Sequence, residues 1–362
     1  MSVPESFRHR EMVSNEDKIT RGSEEFSVVT YNLLAACHVP RWDYSYTKAD
    51  PKTLQLSYRH EILMKEVIYL DNDIICFQEV GPTYWKETLE ADMKRLGYMG
   101  VFVRKKEDND YYDEGCATFW KNTKFTLEEK KKFYLGDVAG KIMESLNLSD
   151  DPEITSLLKT RYIDRADILL VTKLKSAVSG DVVVVANTHI VWGTESLTDV
   201  RALQCRCSKL CLSRYIADQP YCCIFCGDFN STPESLAYTL VQGKQPEGDL
   251  EQALKPALDD QKLKVFPAFQ RLLESFPTDD LSLQSAYKSC VGKEPSVTHF
   301  DNGLPYTFDY IFYGCQSPGK TLTSSSVIGF PEVDTWTQTF PPDDHFPSDH
   351  LPVTGLFRLN EK

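Results

Sequence analysis

The segment YCCIFCGDFN, residues 221–230, joins an uninterrupted apolar run to a glycine, an acid and an amide. Residues 182–185 form a comparable run of four consecutive valines. Uninterrupted apolar or β-branched runs of this length are typical of strands that are buried on both faces. We therefore predict a buried strand over 221–226. Asp228 and Asn230, which follow it, belong either to a simple turn or to a site at the end of the strand.

Nine other short apolar segments have the composition of strands. They are residues 26–34, 73–80, 98–104, 117–121, 168–174, 182–190, 308–313, 325–328 and 352–358. Between several of them, residues 53–70, 83–96 and 195–216 repeat apolar side chains at helical spacing. This alternation predicts an α/β fold, a two-sheet α/β sandwich with helices on the outer faces.

The domain organisation follows from what interrupts this pattern. Residues 1–25 contain six acids and no apolar core, so we expect a disordered N-terminal segment. Residues 26–360 contain no internal repeat and are expected to form a single domain. Within it, the charged residues 135–160 are expected to be helical, and residues 242–280 have the composition of an insertion.

Composition excludes several classes of protein. No apolar run approaches the ~18 residues needed to cross a membrane, and residues 1–25 lack the features of a signal peptide. We therefore expect no membrane partner and a cytoplasmic protein that is not secreted, with nuclear residence open. The eleven cysteines lie scattered in the chain, which favours free thiols in a reducing compartment. The net charge of −13 repels phosphate, so a nucleic-acid partner would need a local basic patch.

Polar and acidic side chains recur at the ends of the predicted strands. They are Asn32, Gln78 with Glu79, Asn187 to His189, Asp228 with Asn230, Asp309, and Asp349 with His350. Each alone is compatible with a turn cap, a surface carboxylate or a structural hydrogen bond. Because six coincidences at six strand ends are improbable, we predict that they form one site, with Gln78 and Thr188 as framework. The remaining histidines, at positions 9, 38, 60, 299 and 345, are interpreted as structural.

These residue types suit the hydrolysis of a phosphate ester. A hard cation such as Mg²⁺ prefers oxygen ligands, typically one or two carboxylates with several waters. Glu79 is the best ligand candidate, and Asn32 lies beside it in the predicted site. Such a cation would polarise a phosphoryl oxygen and stabilise the leaving oxygen.

The remaining polar residues fit the other roles in this reaction. Asp228 or His350 can deprotonate the attacking water, and Asn230 can donate to a phosphate oxygen. Asp309 would accept a hydrogen bond from His350 and fix its orientation. His189 could stabilise the charge that develops on the phosphate.

In this order along the chain, these residues resemble the endonuclease/exonuclease/phosphatase superfamily. The matching pieces are residues 31–32, 78–79, 187–189, 227–230, 309–310 and 348–350. Residues 114–120, 199–204, 309–313 and 346–350 are similar to its deadenylase branch, which includes the carbon-catabolite-repressor nucleases, nocturnin, angel and the 2′,5′-phosphodiesterase. The resemblance spans residues 26–357, so 26–360 would be one catalytic domain.

The resemblance implies a chemistry and a set of roles. It implies one or two Mg²⁺ ions, with Mn²⁺ as a substitute, and hydrolysis of RNA as a 3′ exoribonuclease that releases 5′-nucleotides. It assigns Asn32 and Glu79 to the metal and makes Asp349 a second-metal or water-mediated ligand. Asp228, Asn230 and His189 would contact the phosphate and the attacking water, and Asp309 would orient His350.

Two departures bear on the substrate. In poly(A)-specific members a proline and an aromatic residue hold the adenine, whereas residues 190–194 here contain no proline and Leu304 aligns with the aromatic position. Trp192, Phe300 and Tyr306 are the candidates for another stacking platform, and base stacking is worth roughly 1–3 kcal/mol. No leucine-rich repeat region for docking to a larger complex is recognised.

Two substrate classes therefore stay open on one site. One is the 3′ end of RNA. The alternative is a nucleotide or RNA-end phosphoester, such as a 2′,3′-cyclic phosphate, a 2′,5′-oligoadenylate or an adenine nucleotide of the NADP type. A catalytically inactive RNA-binding protein is disfavoured by the intact set from Asn32 to His350. A lipid or inositol-phosphate hydrolase is disfavoured by the deadenylase-like pieces.

Overall fold

The computed structural model describes residues 11–14, 24–41, 46, 49–106, 113–217, 221–244, 260–301, 303–330 and 341–361. Fifteen strands lie in these ranges: β1 Met12–Ser14, β2 Glu24–Asn32, β3 Ile74–Val80, β4 Tyr98–Arg104, β5 Gly115–Lys121, β6 Phe125–Tyr134, β7 Ile168–Ser176, β8 Val182–His189, β9 Cys222–Asp228, β10 Gln284–Ser285, β11 His299–Asp301, β12 Leu304–Tyr306, β13 Asp309–Cys315, β14 Lys320–Ile328 and β15 Val353–Glu361.

The helices lie mostly between these strands. They are α1 Leu56–Leu70, α2 formed by the continuous turns Pro82–Tyr84, Trp85–Leu89 and Glu90–Arg95, α3 Leu135–Leu146, α4 Pro152–Leu158 continued by Lys159–Ile163, α5 Thr198–Ile216, α6 Leu236–Val241, α7 Asp260–Glu274 and α8 Ala286–Val291. None of the helices in the described ranges has the length and apolar character needed to cross a membrane.

The strands form two mixed sheets, as predicted. One has seven strands in the order β1-β14-β15-β2-β3-β5-β4, and the other has six in the order β10-β13-β9-β8-β7-β6. Each contains one parallel pair, β2 with β3 and β8 with β9, and the other pairings are antiparallel. A short hairpin, β11 with β12, stands apart from both sheets. This architecture confirms the two-sheet α/β sandwich.

Three layers of apolar side chains hold the sandwich together. The middle layer lies between the sheets, where Phe26 stacks on Phe357 at 5.8 Å and meets Phe125 of the other sheet at 5.9 Å between ring centroids. A second layer packs α1 and α2 against the seven-stranded sheet. A third packs α3, α5, α6 and α7 against the six-stranded sheet. Each fully buried side chain of this size contributes roughly 1.5–3 kcal/mol.

A buried amide pair joins the sheets beside the predicted site. Gln78 Nε2 donates to Asn187 Oδ1 at 2.7 Å, and Asn187 Nδ2 donates to the carbonyls of Phe77 at 3.1 Å and Ala117 at 2.9 Å. Both side chains are fully buried, so their polar atoms need these partners. The pair fixes β3 against β8, and it confirms the framework interpretation of Gln78. Asn187 joins the sheets by the same bonds.

Two elements differ from the sequence prediction. Within residues 1–25, most of which lie outside the described residues, Met12–Ser14 form a strand that pairs with β14, and β2 begins at Glu24. The expectation of a disordered segment is therefore wrong for these residues. Strand β6 was not predicted, because seven consecutive residues from Thr126 to Lys132 are exposed and the sequence there has no apolar pattern. Of the predicted insertion, residues 245–259 lie outside the described residues.

One cysteine pair also departs from the expectation of free thiols. Cys222 and Cys315 lie opposite each other in the register of β9 and β13 and are joined as a disulfide. The other nine cysteines, all within the described ranges, form no disulfide there.

Candidate active site

The predicted site residues converge because the two parallel pairs end at the same edge of the sandwich. Asn32 lies opposite Gln78 in the register of β2 and β3, and His189 lies opposite Asp228 in that of β8 and β9. Asp309, the first residue of β13, lies opposite Asp228 on its other side. The amide pair between β3 and β8 then brings the two edges together.

Glu79 is turned into this edge by an irregularity in its strand. The register of β3 against β5 shifts between Phe77 and Val80, and Glu79 has a φ of +57°, which is uncommon for a residue with a side chain. Its Oε2 accepts the backbone N–H of Ala35 at 2.7 Å. A bulge that re-aims one side chain is a recurring feature of strands beside active sites.

Asn32 joins the carboxylates of the two sheets. Its Nδ2 donates to Glu79 Oε1 at 2.8 Å and to Asp228 Oδ2 at 2.9 Å, while its Oδ1 accepts the backbone N–H of Leu34 at 3.0 Å. In this orientation its amide oxygen points away from the carboxylates. Asn32 therefore holds Glu79 and Asp228 in place, and the metal-ligand role predicted for it stays a prediction, since its Oδ1 keeps a second lone pair.

The last residues of β9 and the turn that follows contain two positions with unusual backbone conformations, Gly227 and Asn230. Gly227 has a φ of +147°, and a Cβ there would lie 1.9 Å from the carbonyl oxygen of Thr188. Three residues on, Asn230 has a φ of +46°, which asparagine tolerates better than most residues. Its backbone N–H donates to Asp228 Oδ1 at 2.9 Å and its Nδ2 to the carbonyl of Ile190 at 2.8 Å. The segment therefore forms a turn, and the turn holds Asp228 among the other predicted site residues.

Asp309 and His350 form a buried pair beside Asp228. His350 Nδ1 lies 2.8 Å from Asp309 Oδ2, which also accepts the hydroxyl of Thr298 at 2.7 Å. His350 Nε2 lies 3.6 Å from Asp228 Oδ2. Burial raises the pKa of Asp309 to about 6. Burial opposes the charge on His350, but Asp309 and Asp228 outweigh it and raise the His350 pKa to about 10. With these pKa values, Asp309 is anionic and His350 is cationic at neutral pH.

Asp228 is therefore placed between cations and donors. Burial favours its neutral form, but His350, His189 and the hydrogen bonds from Asn32 and Asn230 outweigh burial and lower the pKa of Asp228. Asp228 Oδ2 lies 3.7 Å from His189 Nε2. The carboxylate is thus ionised, buried and directed at the same place as both imidazoles.

His189 belongs to a buried ionic cluster that sequence reasoning missed. Its Nδ1 lies 3.3 Å from Glu114 Oε1, and that carboxylate lies 2.6 Å from Lys105 Nζ. Lys105 also pairs with Asp167 at 3.0 Å, and Asp167 accepts Gln204 Nε2 at 2.7 Å. Burial opposes the charge on Lys105, but Glu114 and Asp167 outweigh it and raise its pKa well above the usual value. Glu114 is the first residue of the segment 114–120 that is similar to the deadenylase branch, whereas nothing in the sequence distinguishes Lys105.

Two histidines that were interpreted as structural lie at the site. His38 Nε2 is 3.9 Å from Glu79 Oε2. The His299 ring packs against His350 with centroids 4.2 Å apart, and burial together with the neighbouring His350 charge lowers the pKa of His299 to about 4. His299 is therefore a neutral ring beside a cationic one. His299 lies in the short β11–β12 hairpin, where no sequence pattern indicates that it contacts His350.

The donor set suits a hard cation. Glu79 Oε1 and Oε2 each accept one hydrogen bond, which leaves a lone pair on each oxygen. Asp309 Oδ1 and His189 Nε2 are buried without a hydrogen-bond partner. Asp349 Oδ2 accepts the Tyr46 hydroxyl at 2.6 Å. Ligand atoms of Asp349, His299 and His350 lie within 4.8 Å of one another, as do those of Asp228, Asp309 and His350.

Two cavities flank the site. One, of about 330 Å³, is lined by Glu79, Leu34 and Tyr84 among others. The other, of about 510 Å³, is lined by Asn230, His299, Trp192, Tyr306 and Phe308. In the second cavity Tyr306 stacks on Phe308 at 5.1 Å and Phe308 on His299 at 5.3 Å. The stacked rings of Tyr306, Phe308 and His299 thus form a continuous row that ends at His350.

The substrate-stacking role predicted for Phe300 is wrong. Its side chain is 3% exposed and packs with Val297, Phe346 and Leu351. Side chains alternate along β11, so that His299 and Asp301 face the larger cavity and Phe300 faces away from it. Trp192 and Tyr306 do line that cavity, whereas Leu304, at the position of the aromatic clamp, is 58% exposed.

Comparisons with known proteins agree with this geometry. The 3'-5'-exoribonuclease subunit Ccr4 of the CCR4-Not complex from Candida albicans is 29% identical over 356 residues, covering 94% of this chain and 42% of that protein. The probable Ccr4 subunit of Enterocytozoon bieneusi is 28% identical over 362 residues, covering 94% of this chain and 66% of that protein. The chain spans about half the length of the curated relatives it matches.

Solved structures share the fold. ANGEL2, a 2',3'-cyclic phosphatase solved in complex with adenosine-2',3'-vanadate, has a TM-score of 0.74 at 24% identity over 97% of this chain and 98% of that one. The human Nocturnin catalytic domain with bound sulfate has a TM-score of 0.61 at 21% identity over 98% of each chain. These two similarities show the shared fold, and the Ccr4 relatives support the branch that includes the carbon-catabolite-repressor nucleases. The model of the Endonuclease/Exonuclease/phosphatase family matches residues 29–350, and the chain belongs to that family.

Proposed function

We propose that this protein is a Mg²⁺-dependent phosphodiesterase that hydrolyses RNA from its 3′ end and releases 5′-nucleotides. The observation that carries the proposal is the continuous contact from Glu79 through Asn32 and Asp228 to the His350–Asp309 pair. These contacts support a site in which Glu79 would hold a cation and in which an ionised carboxylate and an oriented imidazole lie beside a cavity of about 510 Å³. The Ccr4 relatives, described as 3'-5'-exoribonuclease subunits, favour RNA as the substrate.

The metal would be held by Glu79, with Asp349 bound directly or through water and Mn²⁺ as a substitute for Mg²⁺. When bound, it would neutralise charge on the phosphoryl oxygens and on the leaving oxygen. Asn32 keeps Glu79 and Asp228 facing each other through the two hydrogen bonds of its amide. The carboxylates that would hold the cation are therefore already in position.

The remaining steps belong to side chains on both sheets. Asp228, ionised and within reach of both imidazoles, accepts the proton of the attacking water. His350, held by Asp309, donates from Nε2 to a phosphate oxygen, and His189 and Asn230 add donors to the developing charge. Because Asp309 occupies His350 Nδ1, the Nε2 proton is the one that faces the substrate.

The larger cavity would take the terminal nucleotide, with Trp192 and Tyr306 as surfaces for its base. Neither a proline nor an aromatic clamp stands at the family positions, and Leu304 is exposed. We therefore infer a relaxed preference for adenine. The absence of this adenine clamp also favours the second candidate, an RNA-end phosphoesterase acting on groups such as a 2′,3′-cyclic phosphate. A cytoplasmic or nuclear protein acting on RNA fits both.

A product analysis separates the two candidates. RNAs of one sequence, labelled at the 5′ end and carrying a 3′ hydroxyl, a 3′ phosphate or a 2′,3′-cyclic phosphate, are incubated with Mg²⁺. Progressive shortening with 5′-nucleotide release supports the exonuclease. Loss of the end group without shortening supports the phosphoesterase. Glu79→Gln is the control, and full activity of that variant on every substrate contradicts both.

A further inference from the structure

The edges of the two sheets leave a basic groove outside the active site. Strand β4 ends the seven-stranded sheet and β6 ends the six-stranded one. Between them lies a cavity of about 360 Å³, lined by Phe102, Val103, Arg104, Lys105, Lys130, Lys131, Lys132, Tyr134 and Leu170. We call it the β4–β6 groove. Its rim is rich in lysine although the whole chain carries a net charge of −13.

The lysines of β6 are not neutralised. Lys130, Lys131 and Lys132 are exposed, and among the described residues no carboxylate forms an ion pair with any of them. Lys130 and Lys132 lie on the same face of the strand, roughly 7 Å apart, and that face looks toward β4. Lys132 Nζ lies 5.0 Å from the ring centre of Tyr134. The groove thus combines unpaired positive charge with an aromatic surface.

One end of the groove lies beside the buried ionic cluster that contacts His189. Tyr134 lies opposite Ile168 in the register of β6 and β7, and Leu169 lies opposite Thr188 in that of β7 and β8. Tyr134 therefore lies at the same end of the sheet as His189. At that end the groove is lined by Lys105, which contacts Glu114, and Glu114 contacts His189. From there the groove extends along β6 toward Lys130.

We propose that the β4–β6 groove binds the phosphate backbone of the RNA substrate at nucleotides beyond the one being cleaved. This rests on the proposed function. Because the average field of the chain repels phosphate, a polymer substrate needs a local surface of opposite charge, and this groove supplies one next to the site. Mononucleotides and dinucleotides are too short to reach along it.

The test is RNA binding measured without turnover. In EDTA, a labelled 20-nucleotide single-stranded RNA is titrated with the wild type, with the Lys130→Gln/Lys132→Gln double variant, and with a control of equal charge change. The control is Lys65→Gln/Lys94→Gln, which alters exposed lysines on the helices that cover the other sheet. Thermal melts establish that all three are folded.

The logarithm of the association constant falls with the logarithm of the salt concentration, and removing two phosphate contacts should make this slope shallower by about 1.4. If wild type and variant bind RNA equally at 1 M salt, the variant should then bind about 25-fold more weakly at 0.1 M salt. The control should bind as the wild type does, and hydrolysis of a dinucleotide should be unchanged in both variants. An RNA affinity that is the same in the Lys130→Gln/Lys132→Gln variant as in the wild type overturns the proposal.

Two further outcomes have defined meanings. If polyglutamate displaces the RNA at equal charge concentration, the groove binds acidic protein segments rather than nucleic acid, and the proposal is overturned. If the wild type binds RNA through Lys130 and Lys132 but hydrolyses none of the RNA substrates, the proposed function fails while the groove stands.

Discussion

Replacing Lys105 with methionine should destabilise the protein strongly, because its ammonium group is the buried counter-charge of two carboxylates. Lys105 is 1% exposed, and its Nζ lies 2.6 Å from Glu114 and 3.0 Å from Asp167. Removing one partner of a buried ion pair costs roughly 3–5 kcal/mol. For a chain of 362 residues this corresponds to a fall in Tm of about 4–7 °C at pH 7.

The pH dependence gives a second measurement of the same contact. Burial favours the neutral form of Glu114, but Lys105 and His189 outweigh burial and hold its pKa below the usual range. A carboxyl whose pKa is lowered on folding stabilises the protein above its unfolded pKa, about 4.3, and this contribution is lost as the pH falls further. The difference in Tm between wild type and Lys105→Met should therefore be full at neutral pH and shrink as the pH falls below about 4.

Calorimetric melts at several pH values check both statements. Lys124→Met is the matched control, since Lys124 pairs with Asp73 at 2.8 Å but is 44% exposed. Exposed pairs contribute roughly 0–1 kcal/mol, so its Tm should stay within about 1 °C of the wild type. A Lys105→Met protein that melts within 1 °C of this control at pH 7 would refute the view of Lys105 as the neutralising charge of the cluster.

Four other predictions follow from the site. Glu79→Gln should abolish the rise in Tm that Mg²⁺ produces, at little cost in metal-free stability because Ala35 keeps an acceptor; an unchanged Mg²⁺ effect would contradict the ligand assignment. Asp309→Asn should lower kcat by about 10³–10⁴-fold with a folded protein, because His350 loses its orienting carboxylate; a change confined to KM would argue otherwise. Tyr306→Ala should raise the KM for RNA by about 5–150-fold through lost stacking, with Phe300→Leu, which should change only Tm, as comparison. Gly227→Ala should not yield a folded enzyme, since its Cβ would overlap the carbonyl of Thr188; a normal melt would disprove the close approach.

The sequence was sufficient for the strands that carry the site. β3, β8 and β9 are apolar runs that end in polar residues, and both the periodicity and the ending are local properties of the chain. The convergence of Asn32, Glu79, Asp228, Asp309 and His350 was therefore predictable as a single site. The orientation of each side chain was not, because it depends on hydrogen bonds between residues that are far apart in sequence, such as Asn32 and Asp228.

The failures have equally specific causes. Lys105 and Asp167 are charged residues that nothing in the sequence marks as buried. Their burial is stable because Lys105 pairs with both Glu114 and Asp167. Phe300 is an aromatic residue close in sequence to Tyr306, which makes it a candidate for base stacking. The alternation of side chains along β11 instead directs Phe300 into the core. His299 is the opposite case, since the same alternation brings it against His350.

The position of β15 has a consequence for how the molecule forms during synthesis. In the larger sheet, β2 lies between β3 and β15, so one of its neighbours is made early and the other only at residues 353–361. Until then β2 presents an unpaired edge, which is a site for mistaken pairing between chains, and contacts this distant in sequence form slowly. The ribosome must translate the chain as far as residues 353–361 before this sheet can close, and a nascent chain stalled before residue 350 lacks His350 of the candidate site.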